Sequence, residues 1–121
     1  METITLNQAV YLTKLFLPQL IEYDGGIFLE DHFEKSDFEI WKTHLNGDIT
    51  AIEKVINHVH IEDLVLYPED LDFKQLLYLG QSVAFMWEHY LKTIYPNCKF
   101  KVTCDSEFSS VVVTFYQIKN P

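Results

Sequence analysis

Between Leu71 and Pro96 the chain reads DFKQLLYLGQSVAFMWEHYLKTIY, and this stretch limits the possible folds more than any other. Apolar residues at Phe73, Leu76, Leu77, Gly80, Ala84, Trp87, Leu91 and Ile94 follow the three-and-four spacing of one helix face. Leu79, Val83, Met86 and Tyr90 widen that face. Only a narrow stripe through Lys74, Gln81, Glu88 and Lys92 stays polar. The spacing predicts a helix over 71–95, stopped by Pro96. A polar stripe this thin calls for cover on two sides, by a sheet and by other helices.

After Pro96 the period changes to two. Cys98, Phe100, Val102 and Cys104 alternate with Lys99, Lys101, Thr103 and Asp105, the pattern of a strand with one dry and one wet face. A loop of hairpin length follows. Residues 110–118, SVVVTFYQI, carry apolar side chains on both faces, as a central strand does. Cys98 and Cys104 would lie on one side of the first strand, about 20 Å apart, too far to bridge. They read as small buried thiols.

Upstream, Thr5 and Gln8 form a capping box for a helix over 6–16, with Leu6, Val10, Leu12 or Thr13, and Phe16 or Leu17 facing inward and Pro18 as its stop. Asp24-Gly25-Gly26 is a turn between two β-prone runs, 20–23 and 27–30. The other reading is a helix continued through Pro18 to Tyr23 and ended by Gly25. Ser36 or Asp37 would cap a short helix through Phe38, Trp41 and Leu45, ended by Asn46-Gly47. Asp48 would cap another, with Ile49, Ile52, Val55, Ile56 and Val59 at helical spacing, ending between His60 and Leu64. The expected class is therefore α+β: a single domain over 1–121 with a three- or four-stranded antiparallel sheet packed on one face by helices.

Composition narrows the function. The formal charge is −9, from 18 acidic and nine basic residues, and every basic residue is a lysine. Without arginine there is no bidentate clamp on phosphate and no arginine finger. The acidic balance repels nucleic acid and favours basic partners. The start, METITLNQ, is polar and shows no secretory pattern, and no run is long enough to span a bilayer, so the expected compartment is the cytoplasm.

No nucleophile motif or phosphate-binding glycine loop is present, and no cofactor is expected. The most suggestive chemistry is Asn57-His58-Val59-His60-Ile61-Glu62-Asp63. On a helix His60 and Asp63 would share a face and His58 would point elsewhere. A metal-dependent enzyme using His58 or His60 with Asp63 would need a third ligand from elsewhere, such as His44 or His89. The plainer reading has Asn57 and the histidines bonding backbone groups at a helix end. Glu22, Asp24, Glu30 and Asp31 could pair as catalytic carboxylates, but a solvated rim explains them as well. Tyr78, Ser82, Phe85 and His89 make a second track on the long helix, read as packing under a neighbour or as a homodimer contact of an adaptor domain. Two acidic clusters remain: Glu30, Asp31, Glu34 and Asp37, and Glu62, Asp63, Glu69, Asp70 and Asp72. Such clusters can steer a basic protein partner.

Three segments, LFLPQLIEYDGGIFLEDHF, AIEKVINHVHIEDL and MWEHYLKTIYPNCKFKVTCDSEFSSVVVTFYQI, resemble the layout of small bacterial immunity proteins of polymorphic toxin and contact-dependent inhibition systems. The resemblance implies a non-enzymatic cytoplasmic α+β protein that binds and neutralises a cognate toxin, often a basic nuclease. It assigns no functional residue.

Overall fold

The computed structural model describes residues 2–66 and 72–119. The fold is α+β, with, among the described residues, four α-helices, a two-stranded sheet β1-β2 and a three-stranded antiparallel sheet in the order β3-β5-β4. Within the described residues the order is α1 (Leu6–Phe16), β1 (Leu20–Tyr23), β2 (Gly26–Leu29), α2 (Lys35–His44), α3 (Ile49–Ile56), β3 (His58–His60), α4 (Phe73–Ile94), β4 (Phe100–Glu107) and β5 (Ser110–Gln117). Short 3₁₀ turns at Glu30–His32 and Ile61–Asp63 lead out of β2 and β3.

The helix α4 is capped by Asp72, whose carboxylate accepts the Lys74 N–H at 3.0 Å, and it lies across β4 and β5. Leu76, Val83, Trp87 and Leu91 pack on Val111, Val113 and Phe115 of β5, with Trp87 edge-on to Phe115 at 5.7 Å. Gly80 is where helix and sheet come closest: a Cβ there would run into Val111 and sit 3.2 Å from Cys104 Sγ. The strand β5 is central, as its two-faced pattern predicts. Val111, Val113, Phe115 and Gln117 are buried, and the residues between them are half-buried.

The strand β2 is buried along its whole length because it separates two cores. Ile27 and Leu29 face the α4 core. Phe28 faces a second core of Phe38, Ile52 and Ile56 under α2 and α3, joined by Tyr23 and Phe33. The β1–β2 turn needs left-handed backbone at Asp24 (φ 50°) and Gly25 (φ 84°), the residues that tolerate it.

The outer edge of β2 is paired by side chains, not by a strand. Glu53 on α3 and Asn57 at its C-cap, one turn apart, are both fully buried. Ile27 N–H donates to Glu53 Oε2 at 2.9 Å, Leu29 N–H donates to Asn57 Oδ1 at 2.9 Å, and Asn57 Nδ2 donates to Ile27 C=O at 2.8 Å. On its other side Glu53 accepts the Gln117 N–H of β5 at 2.8 Å. These bonds tie the small sheet to the large one.

Four expectations are corrected. The helix α3 stops at Ile56, because Asn57 turns its carbonyl to Phe115 N–H and its amide to β2, and the following residues pair with β5 as β3. The helix α2 begins at Lys35 with Glu34 as N-cap, before Ser36 and Asp37, since Phe33 is held against Tyr23 and Phe28 at its entry. On α1 the capping box forms, but Leu6 and Val10 are exposed; the half-buried side is Leu12, Leu15 and Phe16, which faces Trp87. On α4 the Tyr78 track is not packed: Tyr78 is 73% and Phe85 60% exposed. Ser82 and His89 are satisfied by carbonyls of their own helix.

Candidate partner-binding groove

β3 is three residues long, yet it places most of the polar chemistry. Side chains two apart on a strand share a face. His58 and His60 therefore lie together, ring centroids 5.4 Å apart and nearly perpendicular, which overturns the helical reading that separates them. Each imidazole is anchored through Nδ1. His58 Nδ1 donates to Val55 C=O at 2.6 Å. His60 Nδ1 lies 3.2 Å from both Glu62 Oε2 and Ser110 Oγ. His32, from the turn after β2, donates through Nδ1 to Ile56 C=O at 3.1 Å. A carbonyl only accepts, so His32 and His58 each carry the Nδ1 proton.

That last contact draws the Glu30–His32 turn and the start of α2 towards β3. The result is a groove with two compartments. One, of about 390 Å³, is lined by His32, Asp37, Trp41, His58, His60 and Asp63. The other, of about 310 Å³, is lined by Tyr11, Lys14, Gln19, Asp31 and His32 around a floor of Leu15, Leu29, Val59, Leu64 and Trp87. His32, Val59 and Leu64 belong to both. Trp87 Nε1 donates to Leu15 C=O and Tyr11 OH to Leu64 C=O, both at 2.9 Å, fixing α1 as one wall.

The groove gathers Asp31 and Asp37 from one acidic cluster and Asp63 from the other. None of the three forms an ion pair among the described residues. Trp41, 37% exposed, lines the same compartment as Asp37 and Asp63. Glu30 and Glu34 are exposed on the same segment, Glu34 as the α2 N-cap. Glu62 does structural work instead. It accepts Val111 N–H at 3.0 Å and Ser110 Oγ–H at 2.7 Å, filling the place a longer β3 would take. Burial raises its pKa, but the bonds from Val111, Ser110 and His60 outweigh that and leave it below the ordinary value. Asp72 is the α4 cap. Glu69 and Asp70 lie outside the described residues.

Of the two readings of the first-hairpin carboxylates, the solvated rim is the one that holds. Glu22, Asp24, Glu30 and Asp31 are all exposed, and Asp24 bonds Lys42 at 2.8 Å. Among the described residues no group of three or more His, Cys, Asp or Glu side chains is arranged to hold a metal ion. Cys98 and Cys104 are free thiols, and burial pushes the Cys104 thiol up, with Asp105 adding to it. Among the described residues no helix is long and apolar enough to cross a membrane.

Sequence reasoning missed Glu53 and the groove itself. The groove depends on β3, and a histidine–valine–histidine triplet inside a helical apolar pattern gives little sign of a strand. No curated protein and no solved structure matches the chain. A family model does match, over residues 2–121: the chain belongs to the uncharacterised protein PM0498 family.

Proposed function

We propose that this protein is a non-enzymatic binding protein of the immunity type, which neutralises a basic toxin domain, a nuclease being the expected class, by seating it on the acidic groove. One observation carries the reading. Asp31, Asp37 and Asp63 come from clusters about thirty residues apart in sequence, yet they line adjoining compartments of one groove, Asp37 and Asp63 together with the half-exposed Trp41 and Asp31 across His32 from them. Unpaired carboxylates around an aromatic anchor suit a lysine- or arginine-rich surface. The net charge of −9 favours fast capture of such a partner and disfavours nucleic acid as the ligand. In this reading the complex forms in the cytoplasm, and no bond of the toxin is made or broken.

The test is co-expression with the product of the gene encoded immediately upstream. A stable complex and rescue of growth support the proposal. Toxicity without rescue, and no complex on purification, overturn it.

A further inference from the structure

We propose that β4 is a homodimer interface, on which a second copy of this chain pairs antiparallel about Thr103 to extend the sheet. The outer edge of β2 is taken by Glu53 and Asn57. β3 is short, and β5 residues beyond it are satisfied by Glu62 at Val111 and by Glu53 at Gln117. β4 is eight residues long, stands at the open end of the order β3-β5-β4, and has no strand on its outer side among the described residues. A long bare edge invites pairing unless its side chains prevent it.

Register follows from the bonds already made. Val111, Phe115 and Gln117 turn their N–H groups to the β3 side. The alternate residues of β5 therefore bond Lys101, Thr103, Asp105 and Glu107 of β4. The outward backbone groups belong to Phe100, Val102, Cys104 and Ser106. An antiparallel partner centred on Thr103 sets outward groups against outward groups, Val102 opposite Cys104 and Phe100 opposite Ser106.

The side chains then match by charge. The wet face runs from Lys99, just before the strand and bonded through its carbonyl to Ile118 N–H, along Lys101, Thr103, Asp105 and Glu107. Centred on Thr103, Lys101 faces Asp105 of the second copy and Lys99 faces Glu107. Lys101 and Asp105 occupy the closer, non-hydrogen-bonded positions of the ladder. By the two-fold each pair occurs twice. A centre at Val102 or Cys104 keeps only half of these matches. Lysines alone would guard the edge; lysines followed by acids in mirror order complement themselves. None of these charges has an ion-pair partner within the chain among the described residues. The groove lies at the β3 end of the same sheet, so pairing at β4 leaves it open on both copies.

Sedimentation equilibrium on the full chain is expected to show a reversible monomer–dimer equilibrium. Lys101→Glu or Asp105→Lys alone should weaken it by about tenfold or more. The double variant K101E/D105K, again self-complementary, should recover it, and an equimolar mixture of the two single variants should form heterodimers. Thr103→Cys in a C98S/C104S background should cross-link between chains under mild oxidation, since the two-fold brings residue 103 against itself. A wild-type chain that stays monomeric at millimolar concentration overturns the proposal. So do single reversals that leave dimerisation unchanged, a double variant as weak as either single one, or no cross-link at 103.

Discussion

Glu53 and Gln117 are joined twice: the Gln117 backbone N–H donates to Glu53 Oε1 at 2.8 Å and its side-chain Nε2 donates to Oε2 at 2.7 Å. Ile27 N–H donates to the same carboxylate at 2.9 Å. A single buried side chain thus ends one sheet and begins the other. Glu53→Ala leaves the buried N–H groups of Ile27 and Gln117 without an acceptor and Gln117 Nε2 with only the Gly25 carbonyl, and unfolding in urea should show a loss of about 3–5 kcal/mol. Glu53→Gln keeps the volume but turns an amide N–H towards one of those donors, for a loss of about 1–3 kcal/mol.

The pH dependence of the two structural carboxylates should run in opposite directions. Glu62 sits below its ordinary value of 4.5 in the folded state. Its contribution is therefore present above that pH and lost as pH falls through the folded value. Burial pushes Glu53 above 4.5, and bonds from Gln117 and Ile27, with Lys119 nearby, only partly pull it back. Its folded state holds the proton more tightly, so its contribution grows as pH falls and declines as pH rises through the folded value. Denaturation curves across the acid range should show the gap between wild type and Glu62→Gln closing on acidification, and the gap between wild type and Glu53→Gln widening.

Gly80→Ala tests the contact between α4 and the sheet. Alanine favours the helix by about 1 kcal/mol. The added Cβ meets Val111 on the central strand, where neighbours on both sides limit movement. Overpacking of this kind costs about 1–3 kcal/mol. The expected thermal midpoint is lower than that of wild type, whereas the same change at an exposed helical glycine would raise it.

Local chemistry was legible in the sequence wherever neighbours within a few residues decide the outcome. Thr5 and Gln8 cap α1, Asp24-Gly25 turns the first hairpin, and the two-faced 110–118 run became the central strand. The end of α3 was not legible, because Val59 fits a helical face as well as a strand. What stops the helix is Phe115 N–H reaching the Asn57 carbonyl. Glu53 was hidden for the same reason. A carboxylate on a helix reads as solvated until its partners are known, and these lie 26 and 64 residues away. The acidic clusters were visible as composition, but their convergence required His32 to bond the end of α3 and β3 to form beside it.

The groove makes a prediction about selectivity among acidic residues. Charge reversal at Asp37 or Asp63 should slow association with a basic partner and flatten its salt dependence. Reversal at Glu22, exposed on β1 and absent from the groove lining, should change little. Stopped-flow association at two ionic strengths separates the two cases.

The most direct measurement is calorimetric titration of the proposed partner, the product of the gene immediately upstream, with wild-type protein and with the triple variant D31K/D37K/D63K, after circular dichroism has shown the variant folded. The account predicts an affinity at least about a hundredfold weaker for the variant. Equal affinity for the two proteins would contradict it.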